Sequence, residues 1–399
     1  MGEMTTPAEP TPAATDDATA DPPAKGGLAM VLSGGGARAA YQVGLLRSLG
    51  RRFPGLRFPV LTGVSAGAIN AAFLAAHPRP IAEAAQDLSE LWSNLDVEDV
   101  FEADFLDLAR NFIRWSLRLV SGGSPLSPQV RGLVDTSPLR SLLERAYRAE
   151  DGRITGIARN IAAGHLRSVA LTALDYGTGK TINWVEGCDT CTWESANRRS
   201  ISTELWVDHV MASSALPLFF PAAEVEGAWY GDGGIRLAAP LSPALHLGAD
   251  RILAVSTRYA RSWEEADEPY ARGYPAPAQI LGHLMKAIFL DVLDRDVGRL
   301  ERLNGVLEKL PPEERGGLKT VKVVLLRPSR DLGKLAAGYE VRLPKAFRFL
   351  TRGLGTRESS SPDFLSIMMF QPDYLRALIE LGEEDAEARA DEVAEIVEA

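Results

Sequence analysis

Val60-Leu61-Thr62-Gly63-Val64-Ser65-Ala66-Gly67-Ala68-Ile69 is the stretch that decides the fold. It opens as a short apolar run of buried-strand type and passes through Ser65 into a small-residue helix expected over 66–76, which stops before Pro78. The same design occurs once upstream. There Leu28-Ala29-Met30-Val31-Leu32 leads into the glycine-rich Ser33-Gly34-Gly35-Gly36 and then a helical pattern over 37–49. Two successive strand–turn–helix units imply a parallel sheet, and hence an α/β fold. Further runs of strand type lie at 168–174, 181–185, 228–230, 251–256 and 321–326, with helices alternating between them. Asp135-Thr136-Ser137-Pro138-Leu139 opens one such helix, with a polar cap before a proline in the first turn.

Upstream of this pattern, residues 1–25 are rich in Pro, Ala, Thr and Asp without periodicity and read as a disordered leader. No internal repeat and no linker follows. We therefore expect one α/β domain with helical embellishments over 26–382, and an acidic helix or tail over 383–399. At 46% apolar and 24% charged, the 399 residues exclude a chain disordered throughout. Apolar runs such as 71–76 fall far short of the roughly 20 residues that span a bilayer, so any membrane contact is peripheral. Glu3, Glu9, Asp16, Asp17 and Asp21 against Lys25 are the wrong charges for a secretory signal. Cys188 and Cys191 can neither staple a fold of this size nor complete a four-thiolate metal site. A reducing, cytoplasmic setting is the expectation.

The net charge of −10 is unevenly spread, with −4 in residues 1–25 and −8 in residues 373–399. The body between them is close to neutral, which argues against a nucleic-acid partner that needs a dense cationic surface. Between Ala24 and Glu83 there is no acid at all, although Arg38, Arg47, Arg51, Arg52, Arg57 and Arg79 fall there. The acidic C-terminal segment reads as a solvated helix.

Gly63-Val64-Ser65-Ala66-Gly67 is a GxSxG pentapeptide between a strand and a helix, the context in which such a serine is held exposed at a strained turn. Glycines two residues before and after the serine remove the side chains that would clash there. Ser33-Gly34-Gly35-Gly36-Ala37-Arg38 bares backbone N–H groups at a helix start, which suits negative charge developing on an attacked carbonyl. Gly34, Gly36 and Ala39 also fit the GxGxxA dinucleotide fingerprint, but the acid expected about 20 residues on to hold the ribose is missing. No Gly-Lys-Ser/Thr follows to make a Walker loop.

A serine hydroxyl needs a base. None of His77, His165, His209, His246 and His283 sits in a recognisable catalytic setting, although Asp232 or Asp250 with His246 or His283 would complete a Ser-Asp-His order. Asp232, in Tyr230-Gly231-Asp232-Gly233-Gly234, is the better candidate, against the alternative of a plain hairpin turn.

Taken together, Gly34-Gly35-Gly36-Ala37-Arg38, Gly63-Val64-Ser65-Ala66-Gly67 and Asp232-Gly233-Gly234, in that order, resemble the patatin-like phospholipases, which are serine lipid acyl hydrolases with a Ser-Asp dyad. Ala212-Ser213-Ser214-Ala215-Leu216-Pro217 with Phe220-Pro221 is similar to the family's segment before the aspartate. The resemblance runs from Leu28 to Asp250, with weaker similarity to about Gly382; Ser33 stands where many members carry Asp, and Ala39 where many carry Gly. It implies a three-layer fold with a mainly parallel central sheet flanked by helices. It also implies Ser65 as nucleophile between the elbow glycines Gly63 and Gly67, and Asp232 as general base. Gly34, Gly35, Gly36, Ala37 and Arg38 would form the oxyanion-hole loop, Arg38 steadying it or meeting a phosphate. No metal or cofactor is implied, and the partner is a lipid or phospholipid substrate. The alternatives are a catalytically silent lipid-binding or scaffold protein on the same fold and, behind it, a dinucleotide-binding module.

Two cationic stripes, Arg110, Arg114 and Arg118 beside Phe112 and Trp115, and Lys345, Arg348 and Arg352 beside Phe347 and Leu350, suit contact with an anionic membrane or a lid. The competing expectation is ordinary helices with basic faces in water. Cys188-Asp189-Thr190-Cys191 reads as a loop with two incidental thiols, Trp184, Trp193 and Trp206 as packing residues, and His165 and His209 as structural.

Overall fold

β1 (Leu28–Leu32) is buried along its whole length, as an unbroken apolar strand requires. Its alternate side chains enter two different cores. Leu28, Met30 and Leu32 join one, while Ala29 and Val31 join the other. That split makes a three-layer α/β structure. The computed structural model describes residues 27–102, 132–188, 191–267, 274, 277–343 and 363–399; both cationic stripes, at 110–118 and 345–352, lie outside them.

After β1 a tight 3₁₀ turn, Gly36–Ala39, precedes α1 (Ala40–Arg52). The helix therefore starts later than the 37 expected, because the Arg38 N–H reaches the Gly35 carbonyl at 3.2 Å and closes a three-residue ring first. β2 (Val60–Val64) and α2 (Ala66–Ala76) follow as the sequence implies, then α3 (Ile81–Ser93). The remaining strands are β3 (Ser168–Asp175), β4 (Thr181–Glu186), β5 (Glu194–Ser195), β6 (Arg198–Ser202), β7 (Ala223–Val225), β8 (Ala228–Asp232), β9 (Arg251–Val255) and β10 (Lys322–Leu326). The sheet runs β10-β9-β1-β2-β3-β4-β6-β5, parallel from β10 to β3 and antiparallel at β3–β4 and β5–β6. β5, β6 and β7 escaped the sequence reading, β5 and β7 because two or three residues give no period to read and β6 because Arg198-Arg199-Ser200-Ile201-Ser202 carries a single apolar residue.

One register sets up the site. β2 runs parallel to β3 and ends with Val64 opposite Thr172. β8 runs antiparallel to β3 and ends with Asp232 opposite Ala173, a residue whose other edge is taken by Ile182 of β4. β2 and β8 therefore meet end to end along one edge of β3, which brings Ser65 and Asp232 together from 167 positions apart.

The C-terminal acidic segment is not a solvated appendage. A boundary after residue 382 falls inside the helix Pro372–Ala388, whose Tyr374, Leu375, Leu378 and Ile379 are buried against α1. At the crossing Gly44 meets the Ile379 carbonyl and Gly382 meets the Tyr41 carbonyl, with no room for a methyl group at either. The acid-free stretch finds its counter-charges here: Arg47 pairs with Glu383 at 2.9 Å, and Arg51 with Glu383 at 3.0 Å and Glu387 at 2.8 Å. Glu380, Glu384 and Glu387 are exposed, while Asp385 is buried and accepts from the Tyr41 hydroxyl at 3.0 Å. Cys188 and Cys191 also depart from expectation, since they are joined as a disulfide. Their Cα atoms stand 5.4 Å apart, within the span a disulfide bridges, and both pack against the core beneath β1 and β9.

Candidate active site

Ser65 sits at the end of β2 with φ 56° and ψ −133°, a conformation that L-residues avoid. Neighbouring groups hold it there. The Ser65 N–H donates to Ser213 Oγ at 3.1 Å, and the Ser65 carbonyl accepts from Ser214 Oγ at 3.1 Å. Ser213 Oγ in turn donates to the Thr172 carbonyl at 2.6 Å, which ties the turn to β3. The elbow glycines are sterically required. A methyl group at Gly63 would overlap the Gly67 carbonyl, and one at Gly67 would overlap the carbonyls of Leu32 and Ser33.

Asp232 is fully buried at the end of β8. Its N–H donates to the Ala215 carbonyl at 3.0 Å, and its Oδ1 accepts from the Gly234 N–H at 2.8 Å. Burial pushes the carboxyl up to about 7, against the Ser65 hydroxyl and the Gly234 N–H, which hold it down. Oδ2 is buried without an aligned hydrogen-bond partner of its own, so the serine hydroxyl stands beside the carboxyl rather than locked onto it. Asp232-Gly233-Gly234 is not a hairpin turn. It enters a 3₁₀ turn, Gly233–Arg236, while the hairpin between β7 and β8 turns at Glu226 and Gly227, both at positive φ.

The glycine loop lies on the other side of Ser65. A methyl group at Gly34 would come within 2.9 Å of Ser65 Cβ, and Gly35 and Gly36 line the same cleft as Ser65. The Gly34 carbonyl is turned aside to accept from Thr257 Oγ1 at 2.7 Å. Arg38, buried, points away from the cleft; its Nη2 donates to Asp363 Oδ1 at 2.6 Å and its Nε to Ser366 Oγ at 2.7 Å. That geometry favours the loop-steadying reading of Arg38 over the phosphate reading. Behind the loop, Gln42 Nε2 donates to the Ser33 carbonyl, Asn70 Nδ2 to Gln42 Oε1 and Trp92 Nε1 to Asn70 Oδ1, at 2.7, 2.9 and 2.9 Å.

The cleft beside Ser65 is narrow and partly open to solvent. Apart from Ser65 and Ser214 its lining side chains are apolar, with Trp92, Leu143, Phe220, Phe289 and Phe370 among them. Such walls suit a hydrocarbon chain and give no purchase to a sugar or a nucleotide.

The structure brings Ser65, Asp232 and the glycine loop together and leaves the histidines outside. His77 pairs with Asp87 at 3.0 Å. His209 takes the Trp206 N–H at 2.9 Å through Nδ1, lies edge-on to Trp184, and is pushed down to about 4 by burial. His246 stacks on Trp193, His165 is exposed, and His283 lies on the helix Pro277–Met285. None of the five lines the cleft. Among the described residues no group of His, Cys, Asp and Glu is placed to hold a metal, and no helix is long and apolar enough to cross a membrane.

Sequence reasoning assigned no role to Thr257, Asp363, Ser366, Gln42 or Asn70. Asn70 alone carried a signal, as an amide within the otherwise apolar, small-residue helix α2; a polar group there implies a buried partner.

The family model described as patatin-like phospholipase matches residues 30–245. No curated protein matches the chain. Among solved structures, VipD from Legionella pneumophila aligns at 12% identity and a TM-score of 0.39, over 92% of this chain and 67% of VipD. Human GIVD cytosolic phospholipase A2 aligns at 10% identity and 0.45, over 94% and 60%. The Pseudomonas aeruginosa type III effector ExoU aligns at 16% identity and 0.37, over 93% and 53%. The chain thus spans about three fifths of the human protein and about half of ExoU.

Proposed function

The chain belongs to the patatin-like phospholipase family, and on that premise we propose that it is a serine lipid acyl hydrolase working through a Ser65–Asp232 dyad and an acyl-enzyme. The observation that carries this reading is the meeting of β2 and β8 on one edge of β3. It sets a strained serine, which lines an apolar cleft, beside a buried carboxyl.

A carboxyl with an ordinary value near 4 is a poor base for an alcohol, whereas one pushed up to about 7 is matched to neutral pH. Asp232 takes the proton of Ser65 as Oγ bonds to the ester carbonyl carbon. The negative charge that collects on the carbonyl oxygen is met by backbone N–H groups at Gly35 and Gly36, each such donor contributing ~3 kcal/mol when preorganised. Collapse of that intermediate expels the alcohol, which leaves with the proton from Asp232, and the acyl group stays on Ser65. Water then gives its proton to Asp232 and attacks the acyl carbon. Oγ recovers the proton and the fatty acid departs. Throughout, the hydrocarbon tail lies against Trp92, Leu143 and Phe220, so water reaches the acyl carbon only from the open end of the cleft.

Labelling of the purified chain with a long-chain fluorophosphonate tests the reading without knowledge of the headgroup. Wild type should label at Ser65, Ser65→Ala not at all, and Asp232→Asn at least about 1,000-fold more slowly. A folded wild-type chain that binds fatty acid but takes no label would instead be the silent lipid binder.

A further inference from the structure

We propose that Asp363 is a positioning residue for the acyl-transfer step, fixing the glycine loop against the Asp232 loop. This rests on the hydrolase reading above and goes beyond it, because Asp363 lies well outside the segment that matches the family model.

The helix Asp363–Met368 grips the glycine loop at three points. Asp363 Oδ1 takes Arg38 Nη2 at 2.6 Å, Ser366 Oγ takes Arg38 Nε at 2.7 Å, and the Ile367 carbonyl rests on Gly36, leaving no room for a Cβ. Gly36 is at φ 56°, and with no side chain between its backbone and that carbonyl, a shift of the helix is a shift of the loop. Ser366 Oγ also donates to the Asp363 carbonyl at 2.6 Å, which closes the grip on itself.

The second carboxylate oxygen faces the other half of the site. Asp363 Oδ2 lies 3.9 Å from Lys286 Nζ. Lys286 opens the π-helical turn Lys286–Leu290, whose Phe289 lines the cleft and presses on Gly234, the residue whose N–H holds Asp232 Oδ1. One carboxylate therefore stands between the donor loop and the base loop. Stability alone does not account for it, since a buried ion pair is commonly no better than apolar residues of the same volume. A fixed geometry does account for it, because displacing a catalytic group by about 1 Å costs on the order of 100-fold.

The test follows hydrolysis of a p-nitrophenyl fatty ester by the full chain, with thermal unfolding and fluorophosphonate labelling in parallel. Asp363→Asn should lower kcat about 100-fold with KM changed less than about threefold, the signature of a contact that matters in the transition state. Asp363→Glu, which keeps the charge, should recover part of the loss. Ser366→Ala, which leaves the ion pair in place, should lower kcat about tenfold with little change in unfolding temperature. If Asp363→Asn does not fold, Lys286→Met, which removes the cation facing Asp363 Oδ2, decides: kcat lowered about tenfold supports the inference and unchanged kcat overturns it. Wild-type labelling together with unchanged kcat in the folded variants overturns the inference alone; a wild-type chain that takes no label overturns the hydrolase reading and this inference with it.

Discussion

The two turns that meet beside the cleft are built in different ways. The steric constraint on the serine elbow is local, with Gly63 packed on Gly67 and Gly67 on the end of the adjacent β1, although Ser213 and Ser214, 148 and 149 positions away, add hydrogen bonds to its backbone. The glycine loop is held from afar, by Thr257, Asp363 and Ser366, at sequence separations of 223, 325 and 328 residues. A local constraint can be written into five residues and found as a motif. A distant one cannot, because nothing near the loop reveals which later segment will seal it.

If that contrast is right, damage to the elbow should be absolute and damage to the loop graded. Gly67→Ala forces a methyl group into two backbone carbonyls that have no side-chain freedom to yield; kcat/KM should fall by ~1,000-fold or more, read by ester hydrolysis on chain that circular dichroism shows to be folded. Gly36→Ala meets a single segment, at the Ile367 carbonyl, rather than the two carbonyls that close on Gly67, so a loss nearer ~100-fold is expected. A similar loss for the two would erase the distinction.

The base supplies a pH-dependent comparison. In the proposed mechanism Asp232 must be ionised to act, and its carboxyl is raised from 3.8 to about 7, so kcat/KM should fall about tenfold per unit as pH drops below about 7. Stability runs the other way. A carboxyl that holds its proton more tightly in the folded chain than in the unfolded one loses stabilisation as pH rises through the window from 3.8 to about 7. Asp232→Asn should therefore abolish turnover while raising the unfolding temperature at pH 8. A wild-type pH profile flat from 5 to 8 contradicts both.

Weaker ties should sort the loop's supports. Thr257→Val removes the hydrogen bond to the Gly34 carbonyl without changing shape, and about tenfold in kcat is expected, equivalent to ~1.4 kcal/mol. Smallest of all, Arg51→Ala opens two exposed ion pairs to the acidic helix and should leave kcat unchanged, with a stability loss under ~1 kcal/mol by urea unfolding.

Much of this was legible in residue order. Strand–turn–helix punctuation located β1, β2, α2 and the elbow, and flanking glycines marked Asp232. The meeting of β2 and β8 was not readable, because it depends on which edge of β3 each strand takes. The pairing of Asp363 with Arg38 was hidden for a related reason: in sequence it is one acid among many, and only burial beside Arg38 sets it apart. The acid-free run from 25 to 82 held a partial clue, since arginines with no nearby acid must find partners elsewhere, but charge counting cannot say where. The pairing of Cys188 with Cys191 likewise turns on loop geometry that spacing alone leaves open.

Where Gly44 and Gly382 let two helices touch backbone to backbone, there is no cushion of side chains to absorb a misfit. A single added methyl at this crossing would act as a wedge under the helix that begins directly after the glycine loop, some way from any reacting atom. The crossing is thus a natural place to install a heat-sensitive variant, active when cool and silenced on mild warming, in which the chemistry itself has not been touched.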